Sequence, residues 1–251
     1  MIREKLIEFS IHPNLSKLEN IKPFPIKHSL PDWYKKLEKH DPLAFNLKGC
    51  IPFLDGITAG YTLPLPQDFT INHNFYNTEK ESHDTAYKFS LADGFNKEMQ
   101  KYYNLNIDNE SHHPVQQIGG DNFFSKKNAN NHIIKILNPW KIKTPEGYSC
   151  LFVAPFYSET DYFYIINAIV DTDRFDDFIN FPIIINNDKY PSFKKVFKQG
   201  TPYVQIIPFK RDSWKMNLSF IKKKNNTSRL LYFTKMWNRY KHLIWEKKSW
   251  K

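Results

Sequence analysis

Cysteine is scarce in this chain, long apolar runs are missing, and most of its length carries no net charge. Of 251 residues only two are cysteine, Cys50 and Cys150, far apart and without a CxxC or a Cys/His cluster. A structural zinc site is therefore not expected, and each thiol reads as free. No apolar stretch reaches the roughly 20 residues of a membrane-crossing helix. The opening, MIREKLIEFSIHPN, has no apolar core of signal-peptide length. An intracellular protein without a transmembrane segment is the expectation. The net charge of +10 lies wholly from Lys215 onward, where 11 basic residues meet one acid, Glu246. Residues 1–214 balance, so the body lacks the general basic footprint of a nucleic-acid binder. No internal repeat of fixed period is visible.

What the chain does have is apolar and aromatic. Hydrophobic residues make up 41% and aromatics 16%, enough to build a core and to argue against wholesale disorder. Prolines at 13, 23 and 25 predict an extended N-terminal arm lying over the body. PDWYKKLEKH (31–40) places Pro31 for a first helical turn and Trp33, Tyr34 and Leu37 at helical spacing. Residues 1–49 thus read as an arm and a short helix. CIPFLDGITAGYTLPLPQDFTI (50–71) reads as a turn followed by strands. Residues 77–131 form a polar, irregular insertion with order expected only around TAYKFSL and QQIGGDNFF. An excursion of that length implies a function or a partner.

From 131 to 211 the runs HIIKIL, WKIKT, YSCLFVAPFY, YFYIINAIV, FINFPIII and YVQIIPF are β-branched and aromatic, with turns such as TPEG and NND between them. Closely spaced strands without intervening helices predict a mainly-β sandwich or barrel over residues 50–211. Residues 212–251 read as a basic amphipathic C-terminal helix. In TSRLLYFTKMWNRYKHLIWEKKSWK, Leu230, Phe233, Trp237, Tyr240 and Ile244 make one stripe. Three uses of that helix stay open: packing its stripe on the body, lying on an anionic surface (nucleic acid or membrane), or docking on a neighbouring subunit.

Chemistry-bearing residues crowd into IINAIVDTDRFDDFINFPIII (165–185), where Asp171, Asp173, Asp176 and Asp177 surround Arg174. Oxygen ligands at short spacing suit Mg or Ca, although Phe175 and Asp176 stand where an EF-hand needs a ligand and a glycine. The competing reading is a solvated hairpin tip with Arg174 pairing locally. Cys150 is either a nucleophile with His132 as its base or, by alternation beside Phe152, an inert buried thiol. His112 and His113 are either metal ligands or part of a surface loop.

Four segments, in order, resemble motifs of the dUTPase and dCTP deaminase superfamily. ITAGYTLPLP (57–66) is similar to the first and TPEGYSCLFVAPFYS (144–158) to the hairpin entering the second. NAIVDTDRFDD (167–177) is similar to the third and GTPYVQIIPF (200–209) to the fourth. The resemblance implies a β-clip core and a homo-oligomer, a trimer in most of that superfamily. In a working member it implies Mg-dependent nucleotide hydrolysis with Asp171 as the water-activating base. It also implies ligand contacts from Tyr148, Ser158, Asn167, Asp173 and Gln205, with Gln205 near the phosphates.

The departures bear on activity. Phe156 and Tyr157 precede Ser158 where the second motif presents an arginine, which removes paired charge-assisted bonds to phosphate. One residue is missing between Asn167 and Asp171, Phe175 and Asp176 replace an Arg-Gly pair, and a basic aromatic helix replaces the glycine-rich fifth motif. The whole chain also resembles a family of phage proteins, through LPDWYKKL, CIPFLDGITAGY, NPWKIKTPEGYS and YKHLIWEKKSWK. That implies a viral setting, in host cytoplasm or virion.

The resulting expectation is a β-clip-like core that binds a ligand or a protein partner without hydrolysis. No cofactor is expected, and Mg only if the protein is an enzyme. Two other uses compete: an active Mg-dependent nucleotide pyrophosphatase with a rebuilt phosphate site, and a phage structural or assembly protein. The geometric expectation beneath all of this is that Asp171 and Gln205 share one hollow.

Overall fold

Strand-forming runs dominate, and the protein is mainly β. The computed structural model describes residues 5–15, 19–38, 46–74, 86–89, 112–113, 133–158, 161–220 and 240–251. In chain order the strands are β1 (Glu8–Ser10), β2 (Phe24–Pro25), β3 (Tyr61–Pro64), β4 (Phe69–Asn74), β5 (Ala86–Phe89), β6 (His112–His113) and β7 (Ile133–Ile136). They continue with β8 (Lys141–Lys143), β9 (Tyr148–Val153), β10 (Phe163–Ile165), β11 (Ala168–Val170), β12 (Phe181–Ile185), β13 (Ser192–Phe197) and β14 (Pro202–Lys210). Two short helices, α1 (Asp32–Lys36) and α2 (Ile51–Ile57), precede β3.

The strands form four antiparallel sheets. The largest has the order β11-β9-β14-β3-β2, a second β10-β12-β7-β6, a third β13-β4-β5, and β1 pairs with β8. One core unites them. Phe152 of β9 packs on Phe181 of β12 with ring centres 5.5 Å apart, and Phe69 of β4 meets Phe163 of β10 at 6.3 Å. Removing a ring as buried as Phe152 costs about 3–5 kcal/mol.

Alternation sets the faces of the large sheet. Cys150 and Phe152 point into the core, so Ser149, Leu151 and Val153 occupy the other face. Register puts Ile169 beside Leu151 and Gln205 beside Val153, on that same outer face. The N-terminal segment packs on the body through short 3-10 turns at Pro13–Leu15, Glu19–Ile21 and Ile26–Ser29. Leu15, Ile21 and Ile26 are buried, and the Trp140 indole donates to the Ile21 carbonyl at 3.0 Å.

Several details differ from the sequence reading. Residues 51–57 form α2 rather than a turn, because Pro52 falls in the first helical turn, where its missing N–H costs nothing. YFYIINAIV is not one strand. It breaks at Ile166–Asn167, β10 pairing with β12 and β11 with β9, so the chain crosses between sheets there. SFKKVF, unmarked in the sequence reading because Lys194 and Lys195 blur its alternation, is β13 and pairs with the full length of β4. The His112–His113 backbone is paired with β7 rather than looped. TAYKFSL contains β5, whereas QQIGGDNFF lies outside the described residues.

The tail also departs. Residues 213–220 and 245–251, placed in the expected helix, carry none, and 221–239 lie outside the described residues. A single π-type turn, Tyr240–Ile244, remains. Beyond it the chain is held by tertiary bonds. The Trp245 indole and Lys248 both donate to Asp55 of α2 at 2.8 Å, and the Trp250 ring packs edge-on against Tyr61. No helix of the described residues is long and apolar enough to cross a membrane.

One glycine is required by close approach. Gly60 has φ +75°, and a Cβ there would stand 1.9 Å from the Ile206 carbonyl oxygen of β14. Gly60→Ala is therefore expected to lower the melting temperature by roughly 5 °C or more, combining strain with a forced separation of β3 and β14. Gly147→Ala, at φ +81° with open space around it, is expected to cost less. Differential scanning calorimetry of both variants checks the order.

Candidate functional site

The aspartate cluster of the expected site lies where three neighbouring strands meet. The turn before β9 is closed by the Tyr148 amide on the Pro145 carbonyl, and Gly147 takes a positive φ there. β11 runs beside β9 and ends at the aspartate cluster, and β14 delivers Arg211 directly after its last residue. The cluster is not a hairpin tip, because β11 and β12 belong to different sheets; it is a crossing between them.

Arg211 organises that crossing. Its Nη1 donates to Asp173 Oδ1 at 2.7 Å and its Nη2 to Asp173 Oδ2, a two-pronged fork. The same Nη1 reaches the Ser149 hydroxyl at 3.0 Å, the Tyr148 carbonyl at 3.2 Å and Asp171 Oδ1 at 3.2 Å. Asp173 also accepts the Gly147 amide at 2.9 Å, and only 3% of its side chain is exposed. The Arg211 guanidinium holds the Asp173 carboxyl far below the ordinary carboxylate range, and the Arg211 pKa rises in turn. The local partner expected from the sequence, Arg174, is displaced by one from a different strand.

Asp171 is more open, with 53% of its side chain exposed. The Ser149 hydroxyl donates to it at 2.7 Å and, with help from Arg211, lowers its pKa. Between the two aspartates, Thr172 points inward, sharing a hydroxyl bond with Thr144 at 2.7 Å and approaching Cys150 Sγ at 3.4 Å. Burial pushes the Cys150 thiol up to about 11. Its neighbours are a threonine and core hydrophobics, so the geometry fits the inert-thiol reading; His132 lies outside the described residues.

Gln205 sits elsewhere on the same face. It pairs with Val153, four residues along β9 from the Ser149 that touches Asp171, which is about 13 Å at the rise of a strand. It is fully buried and its amide is fully engaged. Oε1 accepts from the Phe156 amide at 3.1 Å, and Nε2 donates to the carbonyls of Ala59 at 2.8 Å and Gly56 at 3.2 Å. The shared hollow expected from the sequence is absent here: Asp171 faces outward at one end of the strands and Gln205 is walled in at the other.

The remaining candidates divide likewise. Tyr148 contributes its carbonyl to Arg211, and the Lys5 ammonium lies 5.6 Å from the centre of its ring. Asn167 is exposed at the β10–β11 crossing. Ser158 borders a cleft of about 200 Å³ between the N-terminal segment and the turn after β9, lined by Ser29, Pro31, Asp32, Lys35, Phe156 and others. Tyr157 in that turn has φ +56°, a strained value for a tyrosine. The Trp33 indole secures it by donating to the Tyr157 carbonyl at 3.0 Å, and Phe53 packs on its ring at 5.0 Å.

Sequence reasoning missed Arg211, Ser149 and the Trp33–Phe53 support. Arg211 had a faint signal as one of five arginines in a chain that otherwise uses lysine. Among the described residues no group of three or more His, Cys, Asp or Glu is arranged to hold a metal.

Two outcomes follow. Because the folded-state pKa of Asp173 lies below its unfolded value near 4, its stabilisation is complete above that value. It is lost as pH falls from about 4 through the folded-state pKa. Asp173→Asn is thus expected to lower the melting temperature by several degrees at pH 7 and to flatten the acid limb, measured by thermal melts from pH 7 to pH 2. Ellman titration of the native protein at pH 8 is expected to find one reactive thiol, the exposed Cys50, and two after denaturation.

The chain matches no protein-family model, no curated protein and no solved structure.

Proposed function

We propose that the protein is a non-hydrolytic binding module with a β-clip-like core, working in a phage setting. Its small polar ligand enters the cleft bounded by Ser29, Asp32, Lys35 and Ser158. The observation that carries this reading is the Arg211 fork. In a hydrolase of the resembled kind, the third-motif aspartate holds and activates the water that attacks the phosphate. Here Asp173 is buried against an arginine of its own chain, and Asp171 is bonded to Ser149 and Arg211. Gln205, expected near phosphate, spends its amide on α2 and the Phe156 turn. The groups for chemistry serve as struts instead.

The cleft supports the binding half of the reading. Its polar wall combines hydroxyls from Ser29 and Ser158 with the Asp32–Lys35 pair, bonded at 2.9 Å, and its apolar wall includes Ile26, Leu30 and Phe156. A few polar groups converging in an apolar-walled hollow are what an orienting small-molecule site requires. The strained turn at Tyr157 sets Phe156 and Ser158 at its rim, and strain of that kind concentrates at binding sites.

The test has two parts. A panel of nucleoside triphosphates with Mg is expected to release no phosphate or pyrophosphate above buffer, with wild type and Asp171→Ala alike. Mg-dependent release abolished by Asp171→Ala would instead establish the active pyrophosphohydrolase. A metabolite panel read by thermal shift is expected to yield a stabilising ligand. At a hundredfold excess over Kd the gain is about 2.7 kcal/mol, or roughly 5–10 °C for a chain of this size. Ser158→Phe, which fills the cleft from its rim, should remove that shift while leaving the unliganded melt in place.

A further inference from the structure

Beyond β14 the chain leaves the sheet and presents SWKMNLSF, residues 213–220, with no backbone pairing among the described residues. Trp214, Met216, Leu218 and Phe220 are each more than four-fifths exposed. Ser213 precedes them, and between them fall Lys215, Asn217 and Ser219. This strict period of two is the pattern of a strand with one apolar face, yet among the described residues it has neither a partner strand nor a core.

The apolar face is large. Aromatic side chains bury roughly 150–250 Å² each, so Trp214 and Phe220 alone offer about 300–500 Å², and Met216 and Leu218 enlarge the patch further. That is at the upper end of what a soluble monomer ordinarily shows in one place, and it is a large part of the roughly 800 Å² per partner of a stable interface.

The same molecule carries a matching acceptor. β11 is an edge of the five-stranded sheet, and two of its three side chains, Ala168 and Ile169, are exposed. Among the other described edges, β10 exposes one uncharged side chain, Tyr164, and several more are guarded. β13 carries Lys194 and Lys195, β2 ends in Pro25, and β8 carries Lys141 and Lys143. β11 has no charge and no proline. Charge complements the pairing as well: β11 runs into a turn with four aspartates, of which Asp171 and Asp173 are held by Arg211, and Asp176, though 3.3 Å from Lys143, is 76% exposed. The arm carries Lys215, and Lys222, Lys223 and Lys224 follow it in the sequence.

We infer that residues 213–220 are a strand donated to a second copy of this chain, seated along the exposed edge of β11. Donor and acceptor are both uncovered when the chain is alone, and a self-complementary pair on one chain is satisfied by a second copy. The arm adds backbone bonds to β11 and lays its apolar face over Ile169 and Leu151. The inference does not depend on the ligand reading.

Sedimentation velocity of the full chain at micromolar concentration is expected to show an oligomer. Trp214→Asp with Leu218→Asp should give monomer with an unchanged circular dichroism spectrum, and Ile169→Lys should weaken assembly at least tenfold. Cross-linking tests the contact directly. In a Cys50→Ser background, a tagged chain bearing Leu218→Cys and an untagged chain bearing Ile169→Cys should form a mixed disulfide. A wild type that stays monomeric, or an oligomer that survives the arm substitutions, overturns the inference. So does assembly without the mixed disulfide, or a doubly substituted chain that cross-links only within itself. Should the aspartate variant fail to fold, the cysteine pair, which alters only exposed side chains, decides.

Discussion

A carboxylate withdrawn from water needs a cation or a set of donors, since an uncompensated buried charge costs several kcal/mol. Asp173 is such a group, and Arg211 with the Gly147 amide is what it receives. Asp173 follows β11, Gly147 precedes β9 and Arg211 ends β14. One ion pair therefore ties three adjacent strands together at one end. The guanidinium fork matters because a lysine in its place would satisfy one oxygen and leave the other short of a donor. At the opposite end Gln205 does the neutral equivalent, joining β14 to α2 and to the turn after β9.

That division of labour bears on what the molecule can do. An aspartate committed to an internal arginine is a poor metal ligand, because metal binding would have to displace a partner already preorganised in the same chain. A glutamine with both ends of its amide engaged has nothing left to offer a phosphate. Asp171 is the exception, still half open to water, but Ser149 and Arg211 keep it anionic and oriented along the sheet. The cleft with a polar rim lies instead at the Gln205 end, where the turn carrying Ser158 faces Ser29 and Lys35.

Much of the fold was legible because β-branched alternation is a local signal. The inward placement of Cys150 and Phe152 follows from reading YSCLFV with a period of two, and most of the strands from Ile133 to Lys210 were visible in the same way. What escaped was tertiary. SFKKVF hides its strand under lysines that face outward, and YFYIINAIV reads as continuous although Asn167 sends its halves to different sheets. The aspartate cluster was visible as a cluster, but its partner lies 38 residues on from Asp173, and no periodicity links a turn to the end of a distant strand. The resemblance to third and fourth superfamily motifs put Gln205 in one hollow with Asp171; strand register separates them, because four positions along β9 outweigh sharing a face.

The break at Asn167 has a structural cost that the rest of the molecule does not cover. Crossing between sheets there, and back again through the aspartate turn, leaves β11 only three residues long and at an edge. Exposed edges invite pairing, and this chain defends several others with lysine or proline. At β11 it places Ala168 and Ile169 in the open and follows them with acid. About forty residues later it places an alternating segment with an apolar face in the open, carrying Lys215, and follows it with more base. A single lysine at position 169 or 218 would blunt either surface; with neither present, the two surfaces have the form that the proposed contact between copies requires.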